Sequence, residues 1–259
     1  MRTNRLLPAV FLAALAMAGT TACGSDGHPK PVAANGLDGL SGDEIVARAL
    51  AAGERAPSVR TVARQGGAQG RTTTIKAFAA RSGDCIGEVS QGDPIVSGAK
   101  LPPLRVELLR KGSQTWMREP VAPGEDRADD KWIAGRGSVG TQLFDTCELA
   151  FVELSYLDET TGDPNTPWIR EGVTRIGGVP AVLLHQWTGE VADELSPTAD
   201  ESEAVQVAIA AEGEPYLLRL KYGAGDGGTI LFSDYGAPMT VTPPSADQVI
   251  DVDLGSFLR

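Results

Sequence analysis

Histidine, aromatic residues and positive charge are all scarce in this 259-residue chain. Its two histidines, His28 and His185, lie far apart, whereas metal sites of the zinc or copper type usually need several imidazole ligands. Lysine and arginine number 23 against 34 aspartates and glutamates, which gives a net charge of −11. Proteins that bind the nucleic-acid backbone are mostly basic. We therefore expect neither a metal site nor a nucleic-acid partner.

Catalytic motifs are missing as well. A nucleophilic side chain needs a base, and His185 is the one histidine beyond the N-terminal region. A lone histidine in a predicted strand is more often a hydrogen-bonded sheet residue than a base. The glycine-rich run 135–140 formally matches a dinucleotide fingerprint, but no βαβ unit surrounds it. We expect no catalytic residues, no cofactor and no enzymatic activity.

The one long apolar run lies at the N-terminus. Arg2 and Arg5 precede an apolar stretch over 6–18, which is shorter than the ~18 or more residues of a membrane span. Small residues then lead to Cys23. This pattern resembles a bacterial lipoprotein signal over residues 1–22, which implies cleavage before Cys23 and acylation of its thiol with chains such as palmitate. The alternative is ordinary signal cleavage near Ala22, which leaves a free thiol.

Residues 23–40 predict a flexible tether between this anchor and the fold, because Gly, Ser, Pro and Asp dominate and no periodicity is visible. Removal of residues 1–22 takes away two arginines and no acid, so the mature chain carries −13. An anionic bilayer repels so acidic a body. We expect residues 41–259 to form a single domain that stands off the extracytoplasmic face of the cell membrane.

The two remaining cysteines, Cys85 and Cys147, predict a disulfide. Exported proteins meet oxidising conditions, in which a structural disulfide is the usual outcome for paired cysteines. Zinc binding is an alternative, but two distant cysteines without nearby histidines make a poor site. A catalytic cysteine is another, and it would have to use His185 as its partner.

The folded part is predicted to begin with a helix and to continue mainly as strands. Ser41 and Glu44 form a capping-box pattern ahead of apolar residues at helical spacing, which predicts a helix to Ala52 that Gly53 ends. A broad apolar stripe predicts a second, covering helix over 141–157, after an irregular charged stretch at 120–140. Strand patterns lie at 59–65, 71–80, 84–90, 105–110 and 113–119.

The last third carries the clearest strand patterns. A hairpin is predicted from 173–176 and 179–189 across a Gly-Gly turn, and an acidic connection follows over 190–203. Alternating apolar residues then predict strands at 205–209, 216–222 and 230–233, a short strand at 239–242, and a final helical turn at 246–250. This order of elements predicts an α+β fold with one highly curved antiparallel sheet rather than a parallel α/β fold.

Five segments resemble the LolA/LppX-type bacterial lipoproteins, as found in actinobacteria. They are Glu214–Lys221, Ile230–Gly236, Val241–Pro244, Ile176–Leu184 and Ser58–Val62. The resemblance spans about residues 41–253. It implies an incomplete, open antiparallel β-barrel of roughly 9–11 strands whose concave side is covered by helices. Within that family the hollow between sheet and helices takes acyl chains or other lipids.

The resemblance implies a lipid-anchored lipoprotein that binds or carries a hydrophobic small molecule, a lipid or an acyl chain, in that hollow. The candidate cavity residues are apolar side chains of the 141–157 helix and of the strands that it would face. They are Phe144, Ala150, Phe151, Leu154, Val207, Leu218, Leu220 and Phe232. The alternative is a cell-surface protein-interaction module or sensor with a filled core and no ligand. No particular protein partner follows from the sequence.

Overall fold

The structure is a computed structural model of the whole chain. It describes residues 35–67, 71–92, 95–96, 99–100, 104–119, 131–135, 147, 151, 157, 165–187, 204–223 and 227–251.

The described residues form one α-helix, one short 3-10 helix and fourteen strands. The helix α1 is Gly42–Arg55 and the 3-10 helix is Ala246–Gln248. The strands are β1 (Ser58–Gly67), β2 (Arg71–Ala80), β3 (Cys85–Gln91), β4 (Ile95–Val96), β5 (Ala99–Lys100), β6 (Leu104–Lys111), β7 (Gln114–Arg118), β8 (Trp132–Gly135), β9 (Ile169–Ile176), β10 (Val179–Trp187), β11 (Ala204–Ala210), β12 (Leu217–Tyr222), β13 (Gly228–Ser233) and β14 (Val249–Asp251).

Twelve of these strands form one open, barrel-like sheet. Their order is β14-β8-β7-β6-β3-β2-β1-β13-β12-β11-β10-β9, and β4 pairs with β5 separately. Neighbours are antiparallel except β14 and β8, which are parallel. Because β9 and β14 lie at opposite ends of this order and do not pair, the described sheet does not close. The open, mainly antiparallel sheet agrees with the sequence prediction, although its twelve strands exceed the expected 9–11 and α1 is the one α-helix described in full on its concave side.

The helix α1 begins where the capping box predicts. The Ser41 backbone N–H donates to Glu44 Oε2 at 2.8 Å, and Ser41 Oγ accepts from the Glu44 backbone N–H at 3.3 Å. Gly53 was expected to end the helix, but α1 continues to Arg55. Gly53 is buried, and its carbonyl accepts from Arg81, so tertiary contacts outweigh the low helix propensity of glycine.

The sheet has two faces, which we call inner and outer. The inner face is the one on which α1 lies, against β9, β11 and β12. Gly42, in the first turn of α1, lies directly on the backbone of Trp168, where a Cβ would collide with the Trp168 carbonyl. This glycine therefore allows α1 to dock at the start of β9.

The N-terminal boundary of the fold differs from the expected one. Residues 35–40 were predicted to belong to the flexible tether, but Leu37 is only 2% exposed and belongs to the core under α1. The backbone N–H of Asn35 donates to Ala211 O, and its side-chain amide donates to Ala210 O at 2.9 Å. Composition alone could not reveal this, because one buried leucine fixes an otherwise polar segment.

Strands β8 and β14 also differ from the expectations. Residues 132–135 fall in the stretch predicted to be irregular. The helical turn predicted over 246–250 is present at Ala246–Gln248, but residues 249 and 250 belong to β14. Both strands are short, and each is extended because it pairs with the other in a parallel ladder, in which Val249 lies opposite Trp132. Residues 239–242 were predicted as a short strand but join no strand among the described residues, although Val241 is buried.

Candidate functional site

The inner face divides into two halves. We call β9–β13 with α1 the α1-covered half, and β2, β3, β6, β7 and β8 the disulfide half. Strand β1 runs between them. The α1-covered half is a packed core in which Ile45, Leu184 and Ile209 are fully buried. Of the candidate cavity residues, it contains Val207, Leu220 and Phe232, all of them buried in the same cluster.

Leu218 does not share the burial of these three residues. Strict alternation predicts that Leu218 and Leu220 face the core together, but a bulge between Ala208 and Ile209 shifts the pairing with β12. Leu217 and Leu220 are therefore the buried pair, and Leu218 is half-buried. A bulge inserts one residue into the ladder, which the alternation of the sequence cannot show.

The predicted covering helix lies mostly outside the described residues, including the candidates Phe144, Ala150 and Leu154. Cys147, Phe151 and Leu157 are described, and each has helical backbone. Leu157 is buried in the cluster under α1, whereas Phe151 packs against both this cluster and the cluster of the disulfide half. The candidate Phe151 thus contacts the apolar cores of both halves.

The disulfide prediction is confirmed. Cys85 and Cys147 are bonded, with Cα atoms 5.9 Å apart and 62 residues between them in the sequence. Both residues are fully buried, with Ala79 and Leu108 around them. The bond therefore ties the start of β3 to the segment that carries Phe151.

Small side chains form the centre of the inner face. Thr61, Ala77 and Gly87 are direct cross-strand neighbours on β1, β2 and β3, and Leu108 of β6 continues the row. All four are buried. We call Thr61, Ala77 and Gly87 the small-residue floor. These side chains are shorter than the leucine and isoleucine side chains of the α1-covered half.

Half-buried apolar side chains surround this floor. Ile75, Val89 and Val106 are cross-strand neighbours on β2, β3 and β6. Met117 pairs with Leu108, and Ile133 pairs with Met117. We call these five residues the apolar wall. Each retains partial exposure, unlike the buried residues under α1.

The floor and the wall carry no charge in the described strands. Arg81 contacts Phe151, with its guanidinium 4.6 Å from the ring centroid. Arg81 also donates to the carbonyls of Ala56 and Gly53, which fixes it at the end of α1.

The Thr61 hydroxyl is buried and has no hydrogen-bond partner among the described residues. A buried polar group without a hydrogen-bond partner lowers the stability of the folded state, unless a ligand or a water molecule forms a hydrogen bond with it.

The sequence analysis placed the candidate cavity strands in the last third and missed the floor and the wall. A signal existed for β6, since residues 104–108 alternate between apolar and polar. However, small residues on neighbouring strands become a floor only when the register brings them together, and the register was not predictable.

Other site types find little support in the described part of the chain. His185 lies in β10 on the outer face, and its Nδ1 is 3.1 Å from Glu171 Oε1. Within the described ranges, no group of three histidine, cysteine, aspartate or glutamate side chains is arranged to hold a metal ion. No helix there is both long and apolar enough to cross a membrane.

Known proteins resemble this chain in structure rather than in sequence. No family model matches it, and no curated protein matches it. LprF from Mycobacterium bovis superposes with a TM-score of 0.50 at 15% identity, over 79% of this chain and 97% of LprF. The lipoprotein LppX from Mycobacterium tuberculosis has a TM-score of 0.44 at 15% identity, over 78% of this chain and 98% of LppX. A LolA superfamily protein from Nitrosomonas europaea has a TM-score of 0.28 at 10% identity, over 78% of this chain and 96% of that protein.

At such low identity the similarity to LprF concerns the fold alone, and it extends over nearly all of that protein. It agrees with the open sheet described above and with the resemblance in the sequence. The chain therefore has the same overall fold as LprF.

Proposed function

We propose that this protein is a lipid-anchored lipoprotein that binds or carries a hydrophobic ligand, a lipid or an acyl chain, on the inner face of the disulfide half. The observation that carries the proposal is the uncharged, half-buried apolar wall around the small-residue floor. The Cys85–Cys147 bond keeps the covering segment close to this surface.

The side chains of this surface suit an acyl chain. Val89 and Val106 are branched and offer methyl groups, while Met117 is flexible and adapts to irregular apolar shapes. Ligand pockets are commonly apolar with a few polar groups that fix orientation. The buried Thr61 hydroxyl is such a group, because it could donate a hydrogen bond to an ester or carboxyl oxygen of a ligand.

Several further parts of the proposal rest on the sequence. The signal peptide would be residues 1–22, and the acylated Cys23 would hold the protein at the extracytoplasmic face of the cell membrane. The 141–157 helix would cover the hollow together with α1, with Phe144, Ala150, Phe151 and Leu154 towards the ligand. Arg2, Arg5 and the apolar stretch 6–18 support the export step.

The proposal is tested by two tryptophan variants of the same strand. Val89 lies on the inner face of β3, and Ile86 lies on its outer face with 41% exposure. After removal of bound lipid, the wild type should bind a fluorescent fatty-acid probe at micromolar concentration. Val89→Trp should fill the hollow and weaken this binding about tenfold or more, whereas Ile86→Trp should change it less than about twofold.

Circular dichroism and thermal unfolding decide whether each variant is folded. Met117→Trp provides a second inner-face variant should Val89→Trp unfold. The carrier function is wrong if delipidated wild-type protein binds no probe. It is also wrong if folded inner-face and outer-face variants lose binding equally, and the filled interaction module would then be the better account.

A further inference from the structure

A cleft of about 370 Å³ lies on the outer face, at the ends of β1 and β13. Gly66 and Gly227 form part of its lining, together with Arg64, Thr72, Thr229 and Leu231. These residues belong to the side of the sheet opposite the apolar wall. The cleft is therefore separate from the proposed lipid surface.

Glycine shapes this cleft in two ways. Gly66 pairs with Thr72 across β1 and β2, and it contributes no side chain to this surface. Gly227 lies so close to the carbonyls of Tyr222 and Gly223 that a Cβ there would collide with the backbone, so this glycine allows the tight turn at the edge of the cleft.

Two cations without partners stand beside this cleft. Lys221 pairs with Thr229, and Thr229 pairs with Arg64, so the three residues form one cross-strand row. Arg64 and Lys221 make no ion pair or hydrogen bond with any described residue. The other arginines whose side chains are described each have a partner, as with Arg60 and Asp234 at 2.6 Å. Adjacent strands lie about 4.8 Å apart, so both cations can reach a group bound over Thr229.

The chemistry of this row fits a tetrahedral oxyanion. A guanidinium and an ammonium supply two positive charges and several N–H donors, and such charge-assisted hydrogen bonds to phosphate are strong. The hydroxyls of Thr229 and Thr72 add neutral donors beside them. Val62 and the 42%-exposed Leu231 give one side of the cleft an apolar surface. The row is an unpaired basic site in a chain whose net charge is −11.

We propose that this cleft binds the phosphate or sulfate group of an anionic ligand through Arg64, Lys221 and Thr229. The group could belong to a soluble phosphorylated compound or to the headgroup of an anionic lipid. This site does not depend on the inner face, and it can be occupied whether or not the protein carries a hydrophobic ligand.

The test titrates sodium phosphate into the full chain carrying Cys23→Ser, with backbone amide shifts as the readout. Shifts should centre on Arg64, Gly66 and Thr229, with a millimolar dissociation constant. Arg64→Gln and Lys221→Gln should each weaken binding about fivefold or more. The control is Arg175→Gln, whose cation lies on the edge strand β9 and should have no effect. Sodium chloride of equal ionic strength should not reproduce the shifts.

A second arm distinguishes the two sources of the anionic group. The same proteins are mixed with vesicles of phosphatidylcholine alone and with vesicles that also contain phosphatidylglycerol. Binding that needs phosphatidylglycerol and Arg64 supports a lipid headgroup, while binding of phosphate alone supports a soluble compound. The proposal is overturned if neither probe binds at the cleft, if sodium chloride gives the same shifts, or if Arg175→Gln weakens binding as much as Arg64→Gln.

Discussion

The two halves of the inner face use the same antiparallel ladder but carry side chains of different size. Under α1, Leu184, Ile209 and Leu220 fill the space between sheet and helix completely. In the disulfide half and the adjoining β1, Thr61, Ala77 and Gly87 occupy the equivalent central positions, and the larger residues around them stay half-buried. Side-chain size at a few registered positions therefore distinguishes the packed core from the surface on which we propose that a ligand binds.

The two halves also differ in how they are held. The α1-covered half depends on hydrophobic packing of a capped helix, which needs no covalent link. The buried cluster of the disulfide half is smaller and consists of Ala79, Cys85, Leu108 and Cys147. A disulfide there supplies stability that its smaller cluster cannot.

Loss of the disulfide should give the largest change. Replacing Cys85 and Cys147 by alanine frees a 62-residue loop in the unfolded chain. We expect the free energy of unfolding to fall by about 4 kcal/mol, measured by urea denaturation. Hydrogen exchange should rise first in β2, β3 and β6. Equal loss of protection in β10 to β12 would contradict the separation into two halves.

A large-to-small substitution under α1 should have the next largest effect. Leu220 is 1% exposed and lies among other buried residues, so Leu220→Ala leaves a cavity. We expect a loss of about 3 kcal/mol in urea denaturation, with little change in binding of the fatty-acid probe. If probe binding increases strongly instead, the ligand surface includes the α1-covered half.

The same truncation in the disulfide half should cost less. Met117 is half-buried in the apolar wall, so Met117→Ala removes fewer contacts and creates little new cavity. We expect a loss of about 1 kcal/mol together with weaker probe binding. The comparison with Leu220→Ala is the control, and a cost as large as that of Leu220→Ala would mean that this half is a packed core.

The smallest loss of stability is expected for a substitution on the outer face of the disulfide half, at Glu88. Glu88 accepts from Lys76 Nζ at 2.9 Å and from Arg105 at 2.7 Å. The hydrogen bond from Lys76 is the main cause that lowers the pKa of Glu88 from its ordinary value of 4.5, and attraction to Arg105 adds to it.

Because the folded state has the lower pKa, these contacts stabilise the protein above about pH 4.5, and the benefit disappears as the pH falls through the folded value. We expect Glu88→Gln to cost about 0.5 kcal/mol at pH 7, since its partners are largely exposed. Urea denaturation at several pH values should show this difference from the wild type closing in acid. A difference that grows in acid would contradict the assignment.

Local patterns in the sequence predicted the elements that depend on neighbours in the chain. The capping box at Ser41, the Gly177-Gly178 turn and strand β2 over 71–80 all lie where the pattern places them. The edge strand β14 and the buried Leu37 depend on distant partners, and the sequence did not indicate them. The same limit applies to the site, because the floor exists only through the register of β1, β2 and β3.

The most direct test of the account is photocrosslinking of a diazirine-bearing fatty acid to the delipidated protein, followed by mass spectrometry of its peptides. The account predicts crosslinks to the apolar wall on β3, β6 and β7, around Val89, Val106 and Met117, and their loss in Val89→Trp. Crosslinks confined to β11, β12 and β13, or none above a control without ultraviolet light, would contradict it.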